Sequence, residues 1–274
     1  MTFQIGDRII SDRHLKLAGR LSVCRKHYQK AGFLDDNRPD SPLAQHFQSS
    51  QDALRRGALD IAEVEIFNLA AKLMELGQVG KYDPQLLRRF KQRLRTHRLD
   101  DYLGVQCEIA VASLLLAKRF QFTCPDPPDF QIEVEGSEQP ACIECTSVHI
   151  ETDSDKELIY KVGSAINAKK KKEYCRADSA LVVDITNVMY HSHKAGWNLN
   201  PNAIKENFAD LASDSGFGAV LILCEVGNLE KGRMETLYSR LAIESPSVEL
   251  QTVLNQCFTD GEYFVTQAVF PRIS

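Results

Sequence analysis

A chain of 274 residues, 43% hydrophobic and 26% charged, holds enough apolar material for one substantial core, or for one core with a smaller helical appendage. A formal net charge of −4 excludes a global cationic field, so any nucleic-acid surface must be local. The longest apolar runs, Ala110–Ala117 and Gly218–Cys224, are far shorter than the ~20 residues of a membrane-spanning helix. The opening MTFQIGDRIISDRH lacks the apolar stretch of a signal peptide, and the eight cysteines are scattered, so they are expected to be free thiols in a reducing, cytoplasmic setting.

Residues 1–99 read as an all-helical region, with helices expected near 11–31, 42–56, 58–77 and 83–98 and breaks at Gly32, Asn37–Pro42, Gly57 and Gly77–Pro84. The fourth carries Arg88, Arg89, Lys91, Arg93, Arg95 and Arg98 and leads directly into the next helix. Arg88, Lys91, Arg95 and Arg98 recur at helical spacing and could track a phosphate backbone. They could equally form a solvated face paired with the acids at 60–65 and 100–101. From residue 100 the texture changes. A helix over 101–118 precedes short β-like segments, then a helix over 155–175 and strands Ala180–Thr186, Ala219–Glu225 and Tyr263–Phe270. The expected class is α/β, residues 100–274 forming a mixed sheet flanked by helices after the helical N-terminal region.

Phe130, Ile132 and Val134 alternate with Asp129, Gln131 and Glu133, the period of a strand, and Gly136-Ser137 is a hairpin centre. A turn centred there, or a longer loop forced by Pro140, sets Asp129 directly opposite Glu144, with Cβ atoms roughly 5 Å apart. Thr146 projects from the same face. Two carboxylates so close repel unless a proton or cation lies between them, and hard divalent ions prefer such oxygen ligands. Two solvated acids on an exposed hairpin would show the same pattern.

The helix over 101–118 places Glu108 within the apolar stripe of Val105, Ile109, Ala112, Leu115 and Leu116, where a carboxylate is costly unless paired. On the helix over 155–175, the stripe of Leu158, Ile159, Val162, Ala165 and Ile166 continues to Lys169, while Lys170 and Lys172 flank it and Tyr174 closes the helix. Lysines at a helix C-terminus also suit the dipole without any site.

Two other constellations are weaker. Cys142 and Cys145, three apart in a strand, point to opposite faces and cannot both grip one ion without a break in the strand. His191 and His193 would reach a metal only from a loop.

Glu108 on a helix, Pro128-Asp129, and Glu144-x-Thr146 on the following strand together resemble the PD-(D/E)xK nuclease superfamily, over about residues 100–190. The order of elements supports the likeness: acidic helix, hairpin, basic helix ending in tyrosine, apolar strand. The family's lysine belongs at position 146, where this chain has Thr. In some members the next helix supplies it, and Lys169 is suitably placed. Lys170-x-x-x-Tyr174 is similar to the Gln-x-x-x-Tyr motif of the exonuclease branch, with Lys for Gln. The resemblance implies a restriction-endonuclease-like fold and metal-dependent phosphodiester hydrolysis, with DNA the expected substrate. It implies Asp129, Glu144, Glu108 and the Cys145 carbonyl as ligands of Mg²⁺ or Mn²⁺, with Lys169 as the catalytic lysine. Lys172 and Thr146 would join Arg88, Lys91, Arg95 and Arg98 in contacting nucleic acid. No membrane partner is implied, and a homodimer is admitted. A degenerate nuclease fold that binds nucleic acid or a protein without cutting is the alternative that Thr146 favours.

Overall fold

The computed structural model describes residues 2–5, 8–149, 155–194, 208–259 and 263–266, and these fall into two compact units. Of the described residues, the first unit takes in those up to Val105, the segment Val226–Glu235, and Val265 and Thr266. The second takes in Gln106–Glu225 and Thr236–Phe264. The helical region expected over 1–99 thus lies inside a larger unit, and the α/β part is not the uninterrupted 100–274.

In the first unit a short antiparallel pair, β1 (Thr2–Ile5) and β2 (Arg8–Ser11), precedes α1 (Asp12–Ala31), α2 (Pro42–Arg55), α3 (Leu59–Tyr82) and α4 (Pro84–Leu94). The opening hairpin corrects the all-helical expectation. The helix starts follow local chemistry. Ser11 and Ser41 accept the backbone N–H groups of His14 and Ala44, and Asp83 accepts those of Gln85 and Leu86, with proline opening α2 and α4. Gly32 ends α1 at φ 71°, a left-handed cap that suits glycine. Leu17, Tyr28, Phe47, Ile66, Leu69, Leu76 and Phe90 are buried, and the Tyr28 hydroxyl donates to the Leu69 carbonyl at 2.9 Å. The Val226–Glu235 segment belongs here through Met234 and Leu229, which pack with Phe67 and Ala71 of α3, and through Gly227, which lies against Val64.

The helix α5 (Leu99–Ala117) leads into a seven-stranded mixed sheet in the order β3 (Gln121–Thr123), β4 (Phe130–Glu133), β5 (Ala141–Ser147), β6 (Ser179–Asp184), β7 (Ala219–Asn228), β8 (Arg233–Ile243) and β9 (Tyr263–Thr266). Pairs β3–β4 and β4–β5 are antiparallel, while β5–β6 and β6–β7 are parallel. All of β6 is buried, as expected of a parallel strand covered on both faces. α6 (Asp155–Lys169) packs on β6. Between β6 and β7 run α7 (Thr186–Lys194) and a helical stretch at 208–213, and α8 (Val248–Cys257) packs on β5. The last strand is described only to Thr266, so the rest of the expected Tyr263–Phe270 strand lies outside the described residues.

Register positions the site. Phe130 pairs with Ile143, Gln131 with Cys142 and Ile132 with Ala141, so the connection is centred on Gly136-Ser137. It is the longer of the two expected loops, spanning 134–140, with Gly136 at φ 82° and the Ser137 N–H on the Val134 carbonyl at 3.0 Å. No helix among the described residues is long and apolar enough to cross a membrane.

Candidate active site

Asp129 lies one residue before β4, so continuing the Phe130–Ile143 pairing sets it opposite Glu144. Its Oδ2 accepts the Cys145 backbone N–H at 2.7 Å. Burial, then the neighbouring charges of Glu108 and Glu144, push the Asp129 carboxyl up to about 8, against the opposing pull of that N–H and of Lys169. At neutral pH, without a cation, Asp129 is therefore mostly protonated.

Glu144 is only 5% exposed, and its two oxygens differ in kind. Oε1 accepts from Lys169 Nζ at 2.5 Å and from the Tyr174 hydroxyl at 2.9 Å. Oε2 is buried and has no hydrogen-bond partner. Lys169 is the last residue of α6, on the stripe that begins with the buried Val162 and Ile166, so helical spacing delivers its ammonium inward. The helix does not run to 175. Past Lys169 the chain turns, with Lys172 N–H on the Lys169 carbonyl and Cys175 N–H on the Lys172 carbonyl, both at 3.0 Å. Tyr174 reaches Glu144 from this turn rather than from the helix. Burial, then the charge of Glu144 and the hydrogen bond to it, push the Tyr174 hydroxyl well above its ordinary range, so it acts as a donor.

Glu108 is 6% exposed on the buried face of α5, where its charge reaches Asp129. Cys107 and Cys145, the neighbours of Glu108 and Glu144 in the chain, share a side-chain hydrogen bond. Burial, then Cys107, Asp129 and Glu108, hold the Cys145 thiol well above its ordinary range, so it is neutral. Cys142 instead neighbours Asp178, Arg176 and Ser179, consistent with opposite orientation along the strand.

Among the described residues no three His, Cys, Asp or Glu side chains draw together closely enough to hold a metal ion. Glu108 contributes its charge at Asp129. Asp129 and Glu144 still suit a hard cation as a pair. Both offer oxygen, one carboxyl is kept protonated by its neighbours, and the other has an orphaned buried oxygen that a cation would satisfy. Mg²⁺ keeps several waters when few carboxylates bind it, so two protein donors are a workable set.

Asp184 is a residue that the sequence reading does not pick out. It closes β6, accepting the Thr186 N–H at 2.8 Å and the Ser147 hydroxyl at 3.1 Å, and so ties the end of β5 to the start of α7. The available signal is an acid near the end of the apolar run Leu181–Ile185.

Thr146 is half-buried, and Lys172 is exposed. The expected basic stripe in the first unit does not form one helix face, because α4 ends at Leu94. Arg95 pairs with Asp35 at 2.5 Å, and Arg98 lies 3.9 and 3.7 Å from Asp100 and Asp101. The acids at 60 and 63 pair with Arg13 instead. Lys91 folds against Gly32, at the negative end of α1. Only Arg88 of the four has no such use among the described residues. His191 and His193 fall within α7 rather than in a loop. The chain matches no family model, no curated protein and no solved structure.

Proposed function

We propose that the second unit is a divalent-metal-dependent phosphodiester hydrolase of the PD-(D/E)xK type acting on nucleic acid, with DNA the expected substrate. The observation that carries this reading is the pair of carboxylates opposed at the start of the hairpin. Glu144 Oε2 lacks a hydrogen bond, and the adjacent Asp129 carboxyl is held up to about 8. When bound, Mg²⁺ or Mn²⁺ supplies Lewis acidity toward a phosphoryl oxygen and a water of lowered pKa. Asp129 and Glu144 would hold the ion, Asp129 giving up its proton as the ion arrives. Glu108 adds negative charge behind them. Thr146 cannot carry positive charge, so that role falls to Lys169, whose ammonium already lies on Glu144 and can turn toward an oxyanion. Tyr174 keeps Glu144 oriented by donating to Oε1.

The same 2.5 Å ion pair favours a second reading, a non-cutting binder of nucleic acid or protein, since Lys169 already neutralises the donor that a cation would use. A cleavage assay on single- and double-stranded DNA and RNA, with Mg²⁺ or Mn²⁺ and with EDTA, separates them. Cutting that needs the metal and disappears in Asp129→Asn supports hydrolysis. Intact substrate together with metal-independent binding supports the second reading.

A further inference from the structure

Between Lys169 and Tyr174 the chain makes a short turn bearing Lys170, Lys171, Lys172 and Glu173. Lys171, Lys172 and Glu173 are exposed, and Lys170 is half-exposed. None of the three lysines makes an ion pair or side-chain hydrogen bond among the described residues. Elsewhere the cations divide between paired ones, such as Arg13 with Asp60 and Glu63, Arg55 with Asp52 and Arg176 with Asp178, and isolated exposed ones without an ion pair among the described residues, such as Lys26, Lys81 and Arg88. What sets this turn apart is that its three uncompensated lysines are consecutive and follow Lys169 directly, and Glu173 cancels only part of their charge.

Both ends of the turn rest on one atom. Lys169 Nζ and the Tyr174 hydroxyl both donate to Glu144 Oε1. Backbone geometry allows at most about 3.8 Å per residue, so each lysine Cα lies within roughly 11 Å of the Lys169 Cα. Lysine side chains are long and flexible, so from this turn their ammonium groups can meet phosphates flanking one held beside Lys169. Flexible point charges of this kind suit a phosphate backbone of any sequence.

We propose that the Lys170–Lys172 turn is the docking surface that holds the phosphodiester backbone of a nucleic-acid strand beside the candidate site. This rests on the hydrolase reading for the identity of the strand, but binding can be measured without catalysis. The test compares the wild-type protein with a Lys170→Gln, Lys171→Gln, Lys172→Gln triple variant in EDTA. Fluorescence anisotropy follows binding of labelled single- and double-stranded oligonucleotides across a salt series.

The expected result is at least a tenfold rise in Kd at low salt for every sequence, with an unchanged Tm. The slope of log K against log salt should flatten by about two to three, because each phosphate left without its lysine removes roughly 0.7–0.9 from it. Unchanged affinity and slope would overturn the proposal. So would a loss confined to anionic vesicles or polyglutamate, which would identify a membrane or an acidic protein as the occupant. Failure of the hydrolase reading is seen separately, as absence of metal-dependent cleavage by the wild type.

Discussion

In the proposed site Asp129 is the carboxyl most burdened by buried negative charge, and its proton offsets the charge that a bound cation would offset. Its carboxyl ionises near 3.8 in an ordinary setting and near 8 in the folded protein, through burial first and then the charges of Glu108 and Glu144. Between those values the folded state keeps a proton that the unfolded state has released. The associated stability is therefore full below about 3.8, falls as pH rises, and is gone above about 8. In EDTA the Tm of Asp129→Asn, relative to wild type, should accordingly increase from pH 5 to pH 9. A difference that stays flat across that range would contradict the assigned protonation. Metal binding at pH 7 should release about one proton, read by calorimetry in buffers of different ionisation enthalpy. Lys169→Met tests the other carboxylate. It leaves buried Glu144 with Tyr174 as its remaining hydrogen-bond donor and should cost about 1–3 kcal/mol without metal. In the presence of Mn²⁺ that loss should shrink, while cleavage should fall by on the order of a hundredfold.

At the scale of elements, the hairpin and the close approach of Gly218 to Ala177 predict different mutational costs. Gly136 sits at φ 82° with nothing near a would-be Cβ, so Gly136→Ala should cost only the left-handed penalty of about 1–2 kcal/mol. A Cβ on Gly218, the residue before β7, would collide with the Ala177 carbonyl oxygen and lie 2.9 Å from Leu250 Cδ2. Gly218→Ala must shift backbone and should lower the thermal midpoint more than Gly136→Ala; equal shifts would refute the contact. These cases also show what a sequence can reveal. Gly136-Ser137 sets the hairpin register because local turn chemistry is written in adjacent residues, as are the caps at Ser41-Pro42 and Asp83-Pro84. Lys169 is legible because helical periodicity projects a buried stripe forward. Tyr174 is visible in the chain but not at Glu144, because it arrives from a turn beyond the helix end. The Ser147–Asp184 lock and the folding of Lys91 onto Gly32 join distant segments, and no local pattern encodes them.

On the scale of the whole molecule, the division into two units does not follow the chain. Texture alone suggests a boundary near residue 100, because helical periodicity gives way to strand alternation there. That view cannot register the Val226–Glu235 segment, which spans the end of β7, the turn and the start of β8 yet belongs to the first unit. Met234 is 3% exposed because Phe67 and Ala71 of α3 cover it together with Leu229, and Gly227 lies within van der Waals reach of Val64. A truncated chain beginning at residue 100 would strip these partners away. It would leave Met234 and Leu229 in water at the end of two long paired strands, an invitation to edge pairing and association. The truncated protein should therefore elute as aggregates in size-exclusion chromatography and show a broadened, lowered thermal transition. Adding Leu229→Lys and Met234→Lys to the truncated protein should restore solubility by replacing the exposed apolar surface with charge. The same pair of changes in the full chain should instead destabilise it, because the ammonium at 234 would be buried against Phe67 and Ala71 and the packing of Leu229 would be lost. If the truncated protein is monomeric and cooperative without the lysines, the segment does not depend on α3 for its burial, and the division of the chain must be redrawn at residue 100.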